Sequence, residues 1–190
     1  PAIPRLSGDI RHLIPALGLK EYWYPAVEDR KVGTRKPVKV SLLGEEICLF
    51  RGATGSVAAI QDVCPHRGAR LSEGDCHYRG TVACPYHGWV FDTQGRNVEV
   101  KDHARGAYPP AFAERARDLT ALPRLENYRG FLFGSLGADV PTLKEHLAAA
   151  TGVIDALVDQ SPDGLEVLRG STSYTFRGNW KVHAENGLDG

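Results

Sequence analysis

Two short motifs contain the side chains of this sequence that are best suited to hold a metal. They read Cys64-Pro65-His66-Arg67-Gly68 and Cys84-Pro85-Tyr86-His87-Gly88-Trp89, so each supplies one thiolate and one imidazole. Two thiolates and two imidazoles can bind one zinc ion in a tetrahedral site. The same set can bind a 2Fe–2S cluster, with both sulfurs on one iron and both nitrogens on the other. Ligand count alone therefore leaves two kinds of metal centre open.

The spacing within each motif suits a tight loop that presents both of its ligands in the same direction. Pro65 and Pro85 restrict φ, while Gly68 and Gly88 allow the backbone to approach a bound group closely. Backbone N–H groups at such a distance can donate hydrogen bonds to the inorganic sulfides of a cluster. The sequence therefore predicts two neighbouring loops, each with one ligand pair.

Short β-rich runs punctuated by glycine lie on both sides of the motifs. Strands are predicted over 37–43, 46–50, 56–63, 81–83, 90–92, 97–100 and 128–136. Runs of this length and spacing indicate an antiparallel all-β unit that carries the two loops. Residues 101–127 are predicted to lie mostly on the surface, with a short helix over 113–119.

The residues that flank the ligands distinguish the two kinds of metal centre. Cys-Pro-His-Arg-Gly and Cys-Pro-Tyr-His-Gly-Trp resemble the two cluster loops of Rieske proteins almost residue for residue. The resemblance implies that Cys64 and Cys84 bind one iron of a 2Fe–2S cluster and that His66 and His87 bind the other. A zinc finger instead places its second His shortly after its first, on a helix. The predicted cofactor-binding and metal-binding residues are therefore Cys64, His66, Cys84 and His87.

The loops also resemble one branch of the Rieske proteins more than the other. Members from respiratory complexes carry an extra Cys in each loop, and a Ser and a Tyr that hydrogen-bond the cluster. Here the corresponding places hold Ala69, Tyr86, Trp89 and Phe91. With fewer hydrogen-bond donors, the reduced and more negative cluster is less stabilised. Its reduction potential is therefore expected in the lower part of the roughly −150 to +300 mV Rieske range. Such a centre suits electron delivery to a second iron that activates oxygen.

The last twelve residues add a second resemblance. Asn179-Trp180-Lys181 followed by Glu185-Asn186-Gly187-Leu188-Asp189-Gly190 is similar to the start of the catalytic domain in Rieske non-haem iron ring-hydroxylating dioxygenases. The resemblance implies that Asp189 links a cluster His of a neighbouring subunit to a His ligand of a mononuclear Fe(II). It places Asn186 near that iron, whose two-His-one-carboxylate ligands would follow residue 190. Asp189 and Asn186 are the predicted catalytic residues, and His183 is predicted to be a surface or packing residue.

Residues 128–136, 159–168 and 179–181 resemble the benzoate, toluate and anthranilate dioxygenases. The resemblance implies a terminal oxygenase that passes electrons from the cluster to the mononuclear iron for O2-dependent cis-dihydroxylation of an aromatic carboxylate. It also implies an NADH-dependent reductase, with or without a ferredoxin, and a homotrimer of large subunits with or without small β subunits. The alternatives are a Rieske-type electron-transfer protein, a Rieske monooxygenase acting on another aromatic substrate, and a zinc-stabilised binding module.

The composition of the sequence gives expectations about the binding partners of the protein and about its cellular compartment. The 23 Lys and Arg residues balance 23 Asp and Glu, so no excess of charge favours nucleic acid or an anionic membrane surface. The sequence has neither a membrane-spanning run nor a leader peptide, which predicts a cytoplasmic protein. Cys48 is expected as a small buried side chain, and Cys76 has no assigned role. The sequence contains no Met, which predicts a fragment or a trimmed chain.

We therefore predict a mainly β fold with three parts. Residues 1–35 form an N-terminal segment with a short helix near 9–13, and residues 36–137 form the Rieske-type antiparallel β domain. Residues 138–190 form the α+β start of a catalytic domain. In that last part, Asp139 is predicted to start a helix, with Pro141 in its first turn. The helix is expected to break near Gly152. Two strands are predicted over 165–168 and 173–176.

Overall fold

A computed structural model describes residues 19–106, 108–112, 116–168, 170 and 172–189. The strands in this part of the chain are β1 (Tyr24–Glu28), β2 (Val38–Leu42), β3 (Glu45–Arg51), β4 (Val57–Gln61), β5 (Asp75–His77), β6 (Thr81–Ala83), β7 (Val90–Phe91), β8 (Asn97–Glu99), β9 (Arg124–Tyr128) and β10 (Phe131–Ser135). The α-helices are α1 (Leu143–Leu147), α2 (Ala150–Val158) and α3 (Trp180–Asn186). Short 3-10 helices lie at Asp29–Lys31, Leu71–Glu73, Tyr78–Gly80, His103–Arg105 and Pro110–Phe112. The helix predicted near 9–13 lies outside the described residues.

The strands form three antiparallel sheets in the described part of the chain, with strand orders β1-β10-β9, β2-β3-β4 and β5-β6-β7-β8. The strands predicted over 37–43, 46–50 and 56–63 are confirmed as β2, β3 and β4, which form an antiparallel meander before the first motif. Strand β2 shows the alternation of exposed and buried side chains that marks a sheet with one face on the core. Strand β3 lies at the centre of its sheet and buries four consecutive residues, Ile47 to Phe50, because both of its faces are covered.

The sheets place the two metal-binding motifs. Strand β4 leads into the first motif, which ends just before the 3-10 helix Leu71–Glu73. The second motif connects the paired strands β6 and β7, in which Ala83 lies opposite Val90. The strand predicted over 81–83 is confirmed as β6. Each motif is therefore a loop at the end of a strand.

The strand predicted over 128–136 differs from the structure in one respect. Arg129 and Gly130 form a turn with φ of 53° and 89°, so residues 124–135 make a hairpin of β9 and β10. Strand β10 also pairs with β1, so a strand of this sheet comes from residues that the sequence analysis placed in the N-terminal segment. The domain boundaries at 35 and 137 stay predictions.

Three groups of buried side chains form the core in the residues that the structure describes. The largest lies beneath the two motifs and includes their cysteines together with Phe50, Ile60 and Phe91, each fully buried. Full burial of an aromatic or large aliphatic side chain stabilises a fold by about 1.5–3 kcal/mol. The prediction for Cys48 is confirmed, since this thiol is fully buried in the same group. The metal-binding loops thus rest on the largest group of buried side chains in the described part of the chain.

Helix α1 begins later than predicted. Its N-cap is Thr142, whose hydroxyl accepts from the N–H of Glu145, while the Glu145 carboxylate accepts from the N–H of Thr142 at 2.8 Å. This capping box satisfies two N–H groups at once and so outcompetes Asp139 as the start. The break between the helices lies at Ala148, which has a φ of 45°, and Gly152 lies inside α2. Both helix positions predicted from the sequence were wrong by a few residues.

The chain divides into two compact units after Asp155, and the second comprises Ala156 to Gly190. In the second unit Asn179 caps α3, as its side chain accepts from the N–H of Lys181 at 3.0 Å. The strands predicted over 165–168 and 173–176 were wrong, because the described residues there are irregular and exposed. A strand needs a neighbour for its backbone groups, and no described strand pairs with these segments. Among the described residues, no helix is both long and apolar enough to cross a bilayer.

Candidate metal centre

The two predicted loops share one backbone arrangement. We define the first loop as 64–69 and the second loop as 84–89. In each, the N–H of the cysteine donates to the carbonyl of the last residue at 2.8 Å, Cys64 to Ala69 and Cys84 to Trp89. These bonds close each loop at its base and direct the residues between them outward from the sheet. The same local structure therefore occurs twice, although the ligand spacing differs by one residue.

A second shared bond involves the glycine of each loop. The N–H of Gly68 donates to the carbonyl of Cys64 at 2.8 Å, and the N–H of Gly88 donates to that of Cys84 at 3.0 Å. Gly68 and Gly88 have φ of 71° and 67°, in the left-handed region that favours glycine. An added Cβ would meet no protein atom within 4 Å at Gly68 and only the Lys101 side chain, at 3.9 Å, at Gly88. Backbone conformation, and not crowding by protein atoms, therefore requires glycine in both loops.

The two cysteines of the loops meet in the core. Cys64 is 2% exposed and Cys84 is 3% exposed, and their thiol groups lie in hydrogen-bonding contact. Burial raises the pKa of the Cys64 thiol to about 11, whereas the backbone N–H groups of His66 and Arg67 donate to its sulfur and lower the pKa. A buried thiol pair of this kind becomes a thiolate pair when a cation binds it. The loop already supplies N–H donors for that thiolate form.

The two histidines also lie side by side. The ring centroids of His66 and His87 are 4.5 Å apart, with the ring planes at 66°. Burial lowers the pKa of His66, and the neighbouring His87 and Arg67 lower it further, so the neutral imidazole that binds metals is favoured. Within the described residues, Nδ1 of His66 is buried and has no hydrogen-bond partner. Because a buried polar atom without a partner is costly, this nitrogen fits a metal ligand.

The ligands lie as two pairs. Among the described residues, no group of three or more His, Cys, Asp or Glu side chains converges to hold one metal ion. A diiron core needs only two protein ligands for each iron, which matches a thiol pair beside an imidazole pair. A structural zinc site needs four ligands around one point. The residues present therefore fit a 2Fe–2S cluster better than zinc.

An aromatic layer covers His66 on one side. Trp89 of the second loop stacks on the His66 ring at 4.8 Å with an interplanar angle of 4°. Phe112 meets Trp89 edge-on at 5.8 Å and stacks on Tyr108 at 4.2 Å, while the Arg117 guanidinium lies 5.0 Å from the Phe112 ring centre. Trp89 is 3% exposed, so this layer keeps water away from one face of the imidazole.

This layer was not expected from the sequence. Residues 101–127 were predicted to lie mostly on the surface, which was wrong for Tyr108 and Phe112, since both pack against the core beneath the loops. Leu119 from the same stretch is buried as well. The helix predicted over 113–119 falls partly outside the described residues, and 116–119 are not helical. The spacing of Tyr108 and Phe112, four residues apart, was the feature of the sequence that could have indicated this aromatic layer.

A second missed feature lies at the base of the first loop. Asp62 is 3% exposed, and its Oδ1 accepts from the backbone N–H of Ser72 at 2.7 Å. Its Oδ2 accepts from the Ser72 hydroxyl at 2.5 Å. Because Asp62 and Ser72 flank the first loop in sequence, the pair joins its two ends. Nothing in the local sequence distinguishes this Asp from an ordinary polar residue at the end of a strand.

The predicted catalytic residues belong to the second unit. Asn186 is the last residue of α3, and Asp189 follows it; both are exposed. The predicted surface position of His183 is confirmed, and its Nε2 lies 3.0 Å from the hydroxyl of Tyr174. The roles of Asn186 and Asp189 stay predictions.

Comparison with known proteins identifies the family. Residues 22–126 match the Rieske 2Fe–2S domain. The chain is 39% identical over 173 residues to the large subunit of 2-halobenzoate 1,2-dioxygenase from Burkholderia cepacia. This aligned region covers 90% of this chain and 37% of that protein. The chain is 41% identical over 170 residues to toluate 1,2-dioxygenase subunit alpha from Pseudomonas putida, with coverage of 88% and 37%.

Solved structures give the same result. A crystal structure of a naphthalene 1,2-dioxygenase mutant bound to phenanthrene superposes with a TM-score of 0.65 at 25% identity, covering 88% of this chain and 37% of that one. This chain therefore spans little more than a third of the length of the relatives that it matches. The predicted mainly β fold and the predicted 2Fe–2S cofactor are confirmed by these matches. The chain belongs to the Rieske 2Fe–2S domain family.

Proposed function

We propose that this chain is the cluster-binding part, with the start of the catalytic domain, of a terminal oxygenase that dihydroxylates an aromatic carboxylate. The observation that carries the proposal is the paired arrangement of the ligands. Two buried thiols touch each other, and beside them two imidazoles lie 4.5 Å apart. The relatives named above are a halobenzoate and a toluate dioxygenase. Their substrates are aromatic carboxylates, which supports the proposed substrate class.

In this proposal Cys64 and Cys84 hold one iron of the cluster, and His66 and His87 hold the other. A bound 2Fe–2S cluster supplies one-electron transfer, and two neutral imidazoles in place of thiolates make its reduction easier. The protein's own part is to bury the thiolates, to donate N–H groups to the Cys64 sulfur, and to favour the neutral form of the His66 imidazole. These tasks follow from the burial and the contacts of the described residues.

The proposed potential is low for a Rieske centre. Tyr86 is 61% exposed, and its ring centre lies 4.0 Å from that of His87. Ala69 and Phe91 have no polar side-chain group that could donate a hydrogen bond. Fewer donors leave the added negative charge of the reduced state less stabilised, which lowers the potential. A low-potential donor matches the proposed task of electron delivery to a mononuclear iron.

The remaining components of the proposal come from the family resemblance. A mononuclear Fe(II), bound by two His and one carboxylate beyond residue 190, would be the site at which O2 and the aromatic substrate react. Asp189 would link the two metal centres across a subunit boundary, with Asn186 near that iron. An NADH-dependent reductase, alone or through a ferredoxin, would supply electrons. The proposed assembly is a homotrimer of large subunits, with or without small β subunits.

The cluster is tested on the chain itself. The chain is produced with iron and sulfide supplied, and iron, acid-labile sulfide and zinc are measured together with the EPR spectrum of the dithionite-reduced protein. We expect two irons and two sulfides for each chain and a red-brown oxidised form. A colourless protein that contains zinc and no sulfide would contradict the cluster.

The oxygenase activity is tested on the full-length protein. Full-length protein is supplied with reductase, NADH, and benzoate or toluate under isotopically labelled O2. We expect a cis-diol that carries two labelled oxygen atoms. One labelled atom in the product would identify a monooxygenase. Reduction of the cluster with no product from any aromatic carboxylate would favour a pure electron carrier.

A further inference from the structure

Trp89 differs from the other two tryptophans of the sequence in the surroundings of its indole N–H. Trp23 is 5% exposed, and its Nε1 donates to the carbonyl of Pro141 at 2.9 Å. Trp180 is 69% exposed, so its N–H can reach water. Trp89 is 3% exposed, and its Nε1 has no acceptor in the part of the chain that the structure describes. A buried indole N–H usually has a partner, because burial removes its hydrogen bond to water.

The N–H of Trp89 lies next to a second buried nitrogen without a partner. Within the described ranges, three buried side-chain atoms have no hydrogen-bond partner: Oε2 of Glu46, Nδ1 of His66 and Nε1 of Trp89. Oε2 of Glu46 forms an ion pair with Lys39, so the cation satisfies it. The other two atoms are ring nitrogens, and their rings stack at 4.8 Å with an angle of 4° between the planes. A single group bound beside these rings can satisfy both nitrogens.

Trp89 belongs to the surroundings of all four predicted ligands. It ends the second loop, where its carbonyl accepts from the N–H of Cys84 at 2.8 Å. It packs in the buried group that contains both Cys64 and Cys84. Its ring lies against that of His66, which in turn lies 4.5 Å from the ring of His87. The donor is therefore part of the same buried group as the two thiols and the same set of ring contacts as the two imidazoles.

A 2Fe–2S centre on these ligands offers only sulfur as an acceptor. The irons accept no hydrogen bond, and the lone pair of each ligating imidazole nitrogen is used in the bond to iron. The bridging sulfides and the cysteine sulfurs carry negative charge and accept hydrogen bonds from N–H groups. Reduction adds one electron and hence one negative charge, which strengthens such a hydrogen bond. A donor to sulfur therefore favours the reduced state and raises the reduction potential.

We propose that Nε1 of Trp89 donates a hydrogen bond to a sulfur of the bound cluster, either a bridging sulfide or a cysteine sulfur, and so raises the reduction potential. This inference rests on the proposed function, because it requires a 2Fe–2S cluster on the four ligands. Trp89 then supplies a side-chain donor, which Ala69 and Phe91 cannot do. The low potential expected for this centre would be lower still without this indole.

Two replacements of Trp89 test the N–H. Trp89→Phe removes the N–H together with the pyrrole part of the indole. Replacement of Trp89 by 3-benzothienylalanine keeps both fused rings and exchanges the N–H for a sulfur atom. In a mediated redox titration of the full chain, we expect the ratio of reduced to oxidised cluster at a fixed potential to fall about tenfold in both, as for the loss of one hydrogen bond to a charged group. A tenfold change corresponds to about 59 mV for one electron.

Trp180→Phe is the matched control, because it makes the same substitution at an exposed tryptophan. Its potential should equal that of the unmodified chain, and an equal fall in this variant would overturn the inference. A change of less than twofold in the 3-benzothienylalanine variant would overturn it as well. Any fall in Trp89→Phe would then come from lost ring volume and not from the lost N–H. Failure of both Trp89 replacements to assemble the cluster, with Trp180→Phe intact, would make Trp89 an assembly residue and also overturn the inference.

Resonance Raman spectra of the oxidised protein identify the sulfur that accepts. The stretching bands of iron with bridging sulfide differ from those of iron with cysteine sulfur, and loss of a hydrogen bond should shift the bands of its acceptor. A shift of the bridging bands in the 3-benzothienylalanine variant assigns a sulfide, and a shift of the cysteine bands assigns a cysteine sulfur. Unshifted bands of both kinds would contradict the hydrogen bond.

The two levels of the proposal fail differently. If the unmodified chain takes up no 2Fe–2S cluster, the proposed function itself fails. If the unmodified chain shows the Rieske EPR spectrum and the 3-benzothienylalanine variant has an unchanged potential, only the role of Trp89 fails.

Discussion

The two cluster loops have the same backbone hydrogen bonds but different supports. The first loop is closed by a polar pair, in which the buried Asp62 carboxylate accepts twice from Ser72. The second loop connects two paired strands and ends in Trp89, which packs under Phe112. Ligand presentation and ligand environment are therefore separate properties of these loops. The backbone bonds present the ligands, whereas the supports decide the packing around them and how far water is excluded.

The supports also cross from one loop to the other. Trp89 belongs to the second loop, yet it stacks on His66 of the first. The cysteines of both loops also pack in one buried group of the core. A change in the support of one loop should therefore affect the ligand of the other.

The largest expected effect comes from removing a ligand. Cys84→Ala leaves one iron with a single protein ligand, so we expect complete loss of the cluster and of its EPR signal. Cys76→Ala is the matched control, because Cys76 is a half-buried cysteine outside the loops. Iron and sulfide analysis of both variants checks the prediction. Equal cluster content in the two variants would contradict the assignment of Cys84.

The next largest effect comes from the aromatic layer. Trp89→Ala removes a buried indole and should lower the free energy of unfolding by about 3–5 kcal/mol. Trp89→Phe keeps a six-membered aromatic ring beside His66 and removes the pyrrole part of the indole, whose Nε1 has no partner among the described residues, so it should retain the cluster. Denaturant unfolding and the rate of cluster bleaching in air measure both effects.

Trp180→Ala is the control for Trp89→Ala. Trp180 is 69% exposed, so its removal should change the free energy of unfolding by less than about 0.5 kcal/mol. Equal losses in the two tryptophan variants would show that the layer over His66 contributes nothing specific.

Because the two loops share one backbone conformation, replacing the glycine of either loop should destabilise the protein by a smaller amount that is equal in both loops. Gly68→Ala and Gly88→Ala each force a side chain into the left-handed region, at a cost of about 1–2 kcal/mol. Gly152→Ala, in the interior of α2 where nothing lies within 4 Å of an added Cβ, should instead stabilise by up to about 1 kcal/mol. Thermal unfolding of the three variants compares them. Clearly unequal costs at Gly68 and Gly88 would break the equivalence of the loops.

The smallest effect is a pH dependence that only the first loop should show. Glu46 pairs with Lys39 and with Arg70, the residue that follows the first loop. The hydrogen bond and charge of Lys39, and then the charge of Arg70, hold the pKa of Glu46 below its usual value. Because the folded pKa is lowered, the pair stabilises the protein above the ordinary Glu pKa. That stability is lost as the pH falls through the lowered value.

Hydrogen exchange of the loop amides measures this difference. As the pH falls, the Gly68 amide should lose protection relative to the Gly88 amide, after correction for intrinsic exchange. In Glu46→Gln this relative change should disappear. A parallel change at both glycines in the unmodified chain would contradict a support that is specific to the first loop.

The ligand loops could be predicted because their structure is local. Cys-Pro-His-Arg-Gly and Cys-Pro-Tyr-His-Gly-Trp contain both the ligands and the glycines that their turns require. The meander before the first loop was equally local, since its strands are joined by short turns. Helix α1 was predictable as well, because Thr142 and Glu145 form a Thr-x-x-Glu capping box, and it was missed in favour of Asp139.

The supports could not be predicted because they depend on contacts between distant segments. The stacking of Trp89 on His66 joins residues from two loops, and Phe112 reaches them from a later stretch. The same reasoning explains the segments over 165–168 and 173–176, whose sequences favour strands. Strand formation needs a partner, and local propensity contains no information about whether one is present.

The attachment of the helices to strand β9 affects how the cluster domain should be excised. Glu126 accepts from the N–H of Leu143 at 3.1 Å, Tyr128 donates to Asp155 at 3.0 Å, and the Trp23 indole donates to the carbonyl of Pro141 at 2.9 Å. A domain cut at residue 137 would leave all three side chains without these partners. Cloning boundaries for spectroscopy should therefore begin ahead of Trp23 and extend through the end of α2, so that the shortened protein keeps its own anchors.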